Sequence, residues 1–439
     1  MLRLIFKARK NLTKQHTKFN NIAALFCNQS RIDDGGIGQK SAPPIDPEPP
    51  TVPCKNDYSE AAAEKRLEWV EGFVGTKLPS LRGWWSPLSE PKPEILQGNI
   101  EQSIGLARIP TGVAGPIDFR GTHADGLIMC PMAVTEGGVI ASTSRGAKAI
   151  NESGGVSVHA LKSVMGRSPV FICNDAKGAK DFAQWVPTMK TVLQEKVVNK
   201  KSQHCRITDI KPIIDANVVN LILEYDTGDA SGQNMVTSAS YAILVYLMKA
   251  AKEYLPEGTI EHSYPCSNAI GDKKSTRYNL LENRGVSVVA SVSIPGDVIK
   301  ETLNGDPASM IKYWSHYCRI QNRAGALGNS LNTSTSLAAM FLAFGQDVAC
   351  TYESSTSYME INANSFGGLD VQYQLPCLVA GTIGGGTGLP TQNDCLEIVD
   401  CKGDGKKMKL AEVITGFALA LELATLADVA SNRPLNHRI

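Results

Sequence analysis

The clearest local signal in the chain is an apolar run within residues 213–225, Val218-Val219-Asn220-Leu221-Ile222-Leu223-Glu224-Tyr225. Its β-branched and aromatic content predicts a strand. A polar, glycine-containing turn at 226–232 follows, and a helix is predicted from about Asn234 to Tyr254. A strand, a tight turn and a helix start in succession leave free backbone N–H groups facing an anion. The turn is not a doubly wound dinucleotide fingerprint, because G-x-G-x-x-G is absent and no acidic residue follows at the usual distance. Upstream, the alanine- and glutamate-rich text from Glu60 to Val70 predicts a helix after Ser59, and Trp84 and Trp85 close a small amino-terminal unit. Downstream, the apolar run Leu337 to Phe344 predicts a helix stopped by Gly345. Another apolar stretch, Leu375 to Ile383, runs into Gly384-Gly385-Gly386, which permits close backbone approach to a ligand and serves a structural turn nearly as well.

Composition narrows the classes. With 439 residues, 43% hydrophobic and 20% charged, the chain can bury one or two cores. A formal net charge of +1 gives no electrostatic footing for nucleic acid. The 11 cysteines are scattered, without CxxC pairs or metal-ligand spacing, which points to reduced thiols in an intracellular compartment. No stretch offers the roughly 18 uninterrupted apolar residues that span a bilayer. Tyr241 to Ala251 comes nearest and predicts a buried helix. The first 32 residues differ, with Arg3, Lys7, Arg9, Lys10, Lys14, Lys18 and Arg31 and no acidic residue before Asp33. That suits a mitochondrial-type presequence and a disordered basic tail about equally. A stiff linker follows through Pro43, Pro44, Pro47, Pro49, Pro50 and Pro53.

Five polar segments carry the candidate chemistry. Residues 268–274 read Asn-Ala-Ile-Gly-Asp272-Lys273-Lys274, two lysines beside a carboxylate, which belong on a surface or in a polar cleft. The others are Pro131-Met132-Ala133-Val134-Thr135-Glu136-Gly137-Gly138, Thr227-Gly228-Asp229-Ala230-Ser231-Gly232-Gln233-Asn234, Phe344-Gly345-Gln346-Asp347, and Gly381-Thr382-Ile383-Gly384-Gly385-Gly386-Thr387-Gly388. In this order, from about Asn99 to about Leu423, they resemble the class I 3-hydroxy-3-methylglutaryl-coenzyme A (HMG-CoA) reductases, with wording closest to bacterial members.

The resemblance implies an α+β fold. A large substrate- and coenzyme A-binding domain, 99–171 and 264–439, is interrupted by a small ferredoxin-like NADP-binding domain, 172–263. A presequence-like segment with linker, 1–55, and a small helical unit, 56–98, precede them. It also implies NADPH-dependent reduction of HMG-CoA to mevalonate and coenzyme A, in isoprenoid and sterol biosynthesis, by a protein with no membrane anchor in the mitochondrion or cytoplasm. Two hydride transfers each leave negative charge on a carbonyl oxygen, so a cation and proton donors are needed there. On the family pattern Lys273 stabilises the oxyanion, Glu136 donates the proton and Asp347 couples to both. Taken without the family, Glu136 reads equally as a carboxylate at a helix start. Asp347, following a helix carboxy terminus, is expected to have a raised pKa. Cofactor contacts map to Asp229, Ser231, Gly232, Gln233, Asn234, Gly384, Gly385 and Gly386, and substrate contacts to Asp272, Lys274, Ser267 and Thr335. Residues 101–105 match a family segment at the dimer interface, and family sites built from two subunits imply a homodimer or larger.

Three positions depart from the family. The histidine and asparagine of the helix before Gly-Gln-Asp become Asn332 and Thr335, and the serine ahead of the lysine loop becomes Cys266, with Ser267 next. The last helix is expected through Glu422-Leu423; ungapped counting then puts Arg438 on the histidine that protonates the departing thiolate, with His437 one residue early, short of the family's tail. His437 is either exposed or the thiolate's proton donor. These departures leave open an impaired paralogue that binds ligand or regulates a partner subunit, or a reductase of another acyl-CoA.

Overall fold

The computed structural model describes residues 50–431 apart from 55, 56, 58, 82–95, 101 and 103–105. The basic segment 1–32, Trp84, Trp85, His437, and all of 101–105 but Gln102 lie outside the described residues. Helix α1 (Glu60–Val74) forms as expected: the Ser59 hydroxyl accepts the Ala62 N–H, and Gly75, at φ 72°, ends it.

Among the described residues, ten strands make one sheet. They are β1 (Thr111–Gly121), β2 (Asp125–Ala133), β3 (Val156–Arg167), β4 (Val170–Cys173), β5 (Arg206–Asp215), β6 (Val218–Asp226), β7 (Ile260–Tyr264), β8 (Gly285–Ile294), β9 (Tyr358–Ala363) and β10 (Leu369–Leu378). The main path runs β7-β4-β6-β3-β8-β10-β9, with β1 and β2 joined through β3, and β5 through β6. Strand β3 is the hinge of this arrangement. Residues 157–164 pair with β8, and Met165 to Arg167 pair with Tyr225 to Leu223 of β6. The predicted strand is β6, buried along most of its length.

The longer helices are α2 (Val139–Glu152), α3 (Ala176–Trp185), α4 (Gln233–Tyr254), α5 (Pro307–Ala324), α6 (Thr333–Ala343), α7 (Pro390–Ile398) and α8 (Lys407–Ala430). Helix α4 starts where expected, but it is amphipathic rather than buried throughout: Val236, Ala239, Ile243 and Leu247 face inward while Tyr241 stays 58% exposed. Helix α8 runs seven residues past the expected end at Leu423, closed by an Arg145–Asp428 ion pair. Among the described residues it alone is long and apolar enough to cross a membrane, yet 89% of its apolar window is buried within the protein.

Close contacts fix α8 in the core. Gly146 of α2 lies so near that a Cβ there would stand 1.9 Å from the Ala420 carbonyl oxygen. Two carboxylates of α8 are fully buried and accept hydrogen bonds from the surrounding chain. Glu412 accepts the N–H groups of His123, Ala124 and Ala160 at 2.7–2.9 Å. Glu422 accepts those of Leu331 and Asn332 and the Thr333 hydroxyl at 2.7–2.8 Å, and so caps the start of α6.

Candidate active site

The lysine loop follows β7 and is held by its own side chains. The Asn268 amide accepts the Asp272 N–H at 2.8 Å and donates to the Asp272 carbonyl at 3.2 Å. The Ala269 N–H donates to the Ser168 hydroxyl at 3.1 Å, and the Asn279 amide donates to the Ile270 carbonyl at 3.0 Å. Gly271, at φ 67°, admits no side chain, since a Cβ would lie 2.3 Å from Asn279 Oδ1. Lys273 itself is left-handed at φ 54°, a conformation costing a non-glycine residue about 1–2 kcal/mol. The loop over-determines that backbone and presents the ammonium at its tip.

Asp347 meets it from another direction. Gly345, at φ 65°, stops α6 as expected. The Gln346 amide then exchanges two hydrogen bonds with Gly381, at 2.8 and 2.9 Å. Lys273 Nζ and Gln233 Nε2 both reach Asp347 Oδ2, at 3.1 and 3.2 Å. The other carboxylate oxygen, Oδ1, accepts the Ala349 N–H at 3.1 Å, capping the short turn Val348–Cys350. Burial alone would push the Asp347 carboxyl up, but the Lys273 ammonium and these donors hold it below its ordinary value. The structure therefore corrects the raised value expected from the helix dipole. Asp347 sits at the start of the next turn, beside a cation. The hydrogen bond to Asp347 raises Lys273, against a smaller opposing effect of burial.

Beneath the loop lies a buried charge network that no motif announced. Asp272 pairs with Arg167 Nη1 at 2.9 Å and with Arg284 Nη2. Arg284, 1% exposed, also stands 3.3 Å from Glu353, which is fully buried and whose carboxyl burial pushes up. Asp272, Cys350 and Glu353 bring ligand-type atoms within 4.8 Å of one another, but Arg284 already engages both acids. Arg167 ties the network to the start of α4, donating to the Thr237 hydroxyl at 2.8 Å and the Gln233 carbonyl at 3.1 Å.

The two candidate cofactor segments touch. The Thr382 N–H donates to the Asp229 carbonyl at 2.9 Å, and Ala230 bridges to Ile383. A Cβ on Gly381 would fall 2.3 Å from the Ser231 nitrogen, and one on Gly345 would fall 2.3 Å from the Gly386 carbonyl. Helix α4 begins at Gly232, φ 78°, with no side chain capping its first N–H groups. Asn234 and the Gly384–Gly385 pair are exposed. The Asp229 carboxylate, in contrast, turns inward to accept the Gly405 and Lys407 N–H groups at 2.8 and 3.1 Å. An uncapped helix start beside an open glycine loop fits the phosphates of a dinucleotide.

The remaining candidates are less gathered. Glu136 is exposed between β2 and α2 and is not paired with Lys273 or Asp347 within the chain. Lys274 Nζ lies 5.9 Å from the Tyr352 ring centroid. Ser267 donates to the Ser168 carbonyl at 3.1 Å, Cys266 is exposed, and Thr335 is half-buried on α6. Asn332 is tied to the Thr425 hydroxyl at 2.9 Å.

Comparison with known proteins identifies the family. The family model for hydroxymethylglutaryl-coenzyme A reductase matches residues 62–434. The curated 3-hydroxy-3-methylglutaryl-coenzyme A reductase of Pyrococcus abyssi is 36% identical over 86% of this chain and 91% of its own length. That of Methanothermobacter thermautotrophicus is 33% identical over 85% and 91%. These relatives are archaeal, so the expected nearness to bacterial members is not supported. The fold is similar to the class II reductase of Streptococcus pneumoniae bound to NADPH, with TM-score 0.64 at 16% identity, covering 85% of this chain and 98% of that one. With the family model spanning most of its length and the motif loops meeting around one ion pair, the chain belongs to the hydroxymethylglutaryl-coenzyme A reductase family.

Proposed function

We propose that this chain reduces HMG-CoA to mevalonate and coenzyme A with NADPH, in isoprenoid biosynthesis. The reading is carried by the meeting of four separated segments, 227–234, 268–274, 344–347 and 381–388, around the Lys273–Asp347 pair. When bound, NADPH supplies the two hydrides. Gly232, Gln233 and Asn234 at the start of α4, with Ser231 and the Gly384–Gly386 loop, would hold its phosphates.

Lys273 is kept as an ammonium by Asp347 and offers that charge to the carbonyl oxygen as it becomes negative. Asp347 orients the ammonium before substrate arrives and couples its charge to the acids around it. Glu136 is the proton donor; it forms no ion pair with Lys273 within one chain, and family sites built from two subunits support delivery by a second subunit, hence a homodimer or larger. Asp272, fixed by its two arginines, and Lys274, Ser267 and Thr335 line the acyl side, and His437 protonates the departing thiolate. The class I assignment rests on motif wording, and the boundaries 172–263 for an inserted NADP-binding domain rest on the family resemblance. An intracellular location is supported by the unpaired state of every described cysteine; a mitochondrial one has only the basic first 32 residues behind it.

Reduction of a different acyl-CoA is the second reading, which Thr335, half-buried on α6, and the exposed Cys266 would support by lining the acyl pocket. Purified protein is expected to oxidise NADPH on addition of HMG-CoA and to release mevalonate. Oxidation with another acyl-CoA alone would select the second reading, and oxidation with neither would leave a ligand-binding or regulatory chain.

A further inference from the structure

Helix α8 begins with a lysine in an unusual place. Lys407 is 5% exposed, and its ammonium lies under the 227–230 turn rather than in solvent. Nζ donates to the carbonyls of Gly228 and Ala230 at 3.0 and 3.2 Å, and Thr227 Oγ1 lies at 3.5 Å. Between those carbonyls, the Asp229 carboxylate accepts the backbone N–H of the same residue, Lys407, at 3.1 Å. One residue thus grips four successive positions of the turn, by side chain and by main chain.

Burying an ammonium is costly unless it is bonded and charge-compensated. Here three oxygens and the nearby charges of Asp226 and Asp229 compensate it. The Thr227 hydroxyl also donates to the Ala230 carbonyl at 2.9 Å, and the Asp229 carbonyl accepts the Thr382 N–H at 2.9 Å, while a cavity of about 240 Å³, lined by His123, Asp226, Asp229, Gly405 and Lys407, opens beside the turn. Drawing the Gly228 and Ala230 carbonyls inward fixes those peptide planes immediately before the uncapped start of α4 at Gly232.

We propose that Lys407 is the positioning residue of the dinucleotide turn, clamping Thr227 to Ala230 so that the helix start beyond it is preorganised for the phosphates of NADPH. This rests on the assignment of the turn to NADPH made above.

The test is NADPH titration of the full chain by fluorescence, with steady-state kinetics, for wild type, Lys407→Met and Lys407→Gln. Methionine keeps the stem and removes the donor; glutamine keeps an amide donor for the carbonyls without the charge and is expected to fold where methionine does not. Losing bonds to buried carbonyls should weaken NADPH binding about 5- to 150-fold in Lys407→Met, with glutamine intermediate. The loss should fall in the KM for NADPH more than in kcat, while the KM for HMG-CoA stays within about twofold. Wild-type NADPH affinity in either folded variant, or equal weakening of both substrates, overturns the clamp. Wild-type protein that does not bind NADPH overturns the assignment of the turn itself.

Discussion

Lys273 and Asp347, 74 positions apart in sequence, meet at 3.1 Å between Nζ and Oδ2. Each shifts the other toward its charged form: the carboxyl is held low, chiefly by the ammonium against the effect of burial, and the ammonium is held high by its hydrogen bond to the carboxylate. The pair's contribution to stability is complete between the two ordinary values, about 3.8 and 10.5. It fades as pH falls through the lowered value of Asp347 or rises through the raised value of Lys273.

Removing either partner separates their roles. Lys273→Ala should abolish hydride transfer, and retention of more than about a tenth of the rate would remove it from oxyanion stabilisation. Asp347→Asn deletes the carboxylate that raises Lys273, so the alkaline limb of the pH–rate profile should move to lower pH. An unmoved limb would mean that another group sets it.

Glu136 should act across a subunit boundary. Glu136→Gln and Lys273→Ala should each be inactive as homodimers. Mixed and allowed to exchange, half the dimers are heterodimers with one intact site, giving about a quarter of wild-type activity. Continued silence in a mixture whose exchange is confirmed by mass would place both residues on one chain.

Arg284 neutralises Glu353 and steadies Asp272 from below. Arg284→Met should cost about 3–5 kcal/mol in urea unfolding, because a buried carboxylate loses its counter-charge. Adding Glu353→Leu should recover much of that stability but not Asp272's anchor, so substrate KM stays raised. Full kinetic rescue by the double variant would show that the network serves folding alone.

Lys407 gives a pH test with opposed signs. Burial lowers its pKa to about 8, against the attraction of Asp226 and Asp229; Arg206 pairs with Asp226, and His123 lines the adjoining cavity. The unfolded chain then binds more protons between about 8 and 10.5, so stability from this group rises with pH across that window. NADPH affinity should fall around pH 8, where the folded clamp itself loses its charge. Parallel thermal-shift and NADPH-titration series would show it, and affinity that follows stability upward would contradict the clamp.

Much of this was legible from sequence. The strand–turn–helix at 218–254, the stop at Gly345 and the pairing of Lys273 with Asp347 all follow from contiguous residues or family motifs. What was hidden depends on register between distant strands. Arg167 reaches Asp272 because β3 hands over from β8 to β6 at Met165, and Arg284 enters just before β8. No spacing announces single residues of this kind. The direction of the Asp347 shift was missed because a dipole argument weighed its own helix and not the lysine across from it. The burial of Lys407 was invisible because a Lys-Lys pair at a helix start reads as solvated.

Helix α8 carries the Lys407 clamp at its first turn and, about 22 Å further along its axis, the Glu422 carboxylate that anchors the start of α6. The proposed nucleotide and acyl sides are thus joined through a single beam. Because Gly146 brings its backbone hard against Ala420, that beam cannot slide without a collision. The spacing between Lys407 and Glu422 is therefore set by the core.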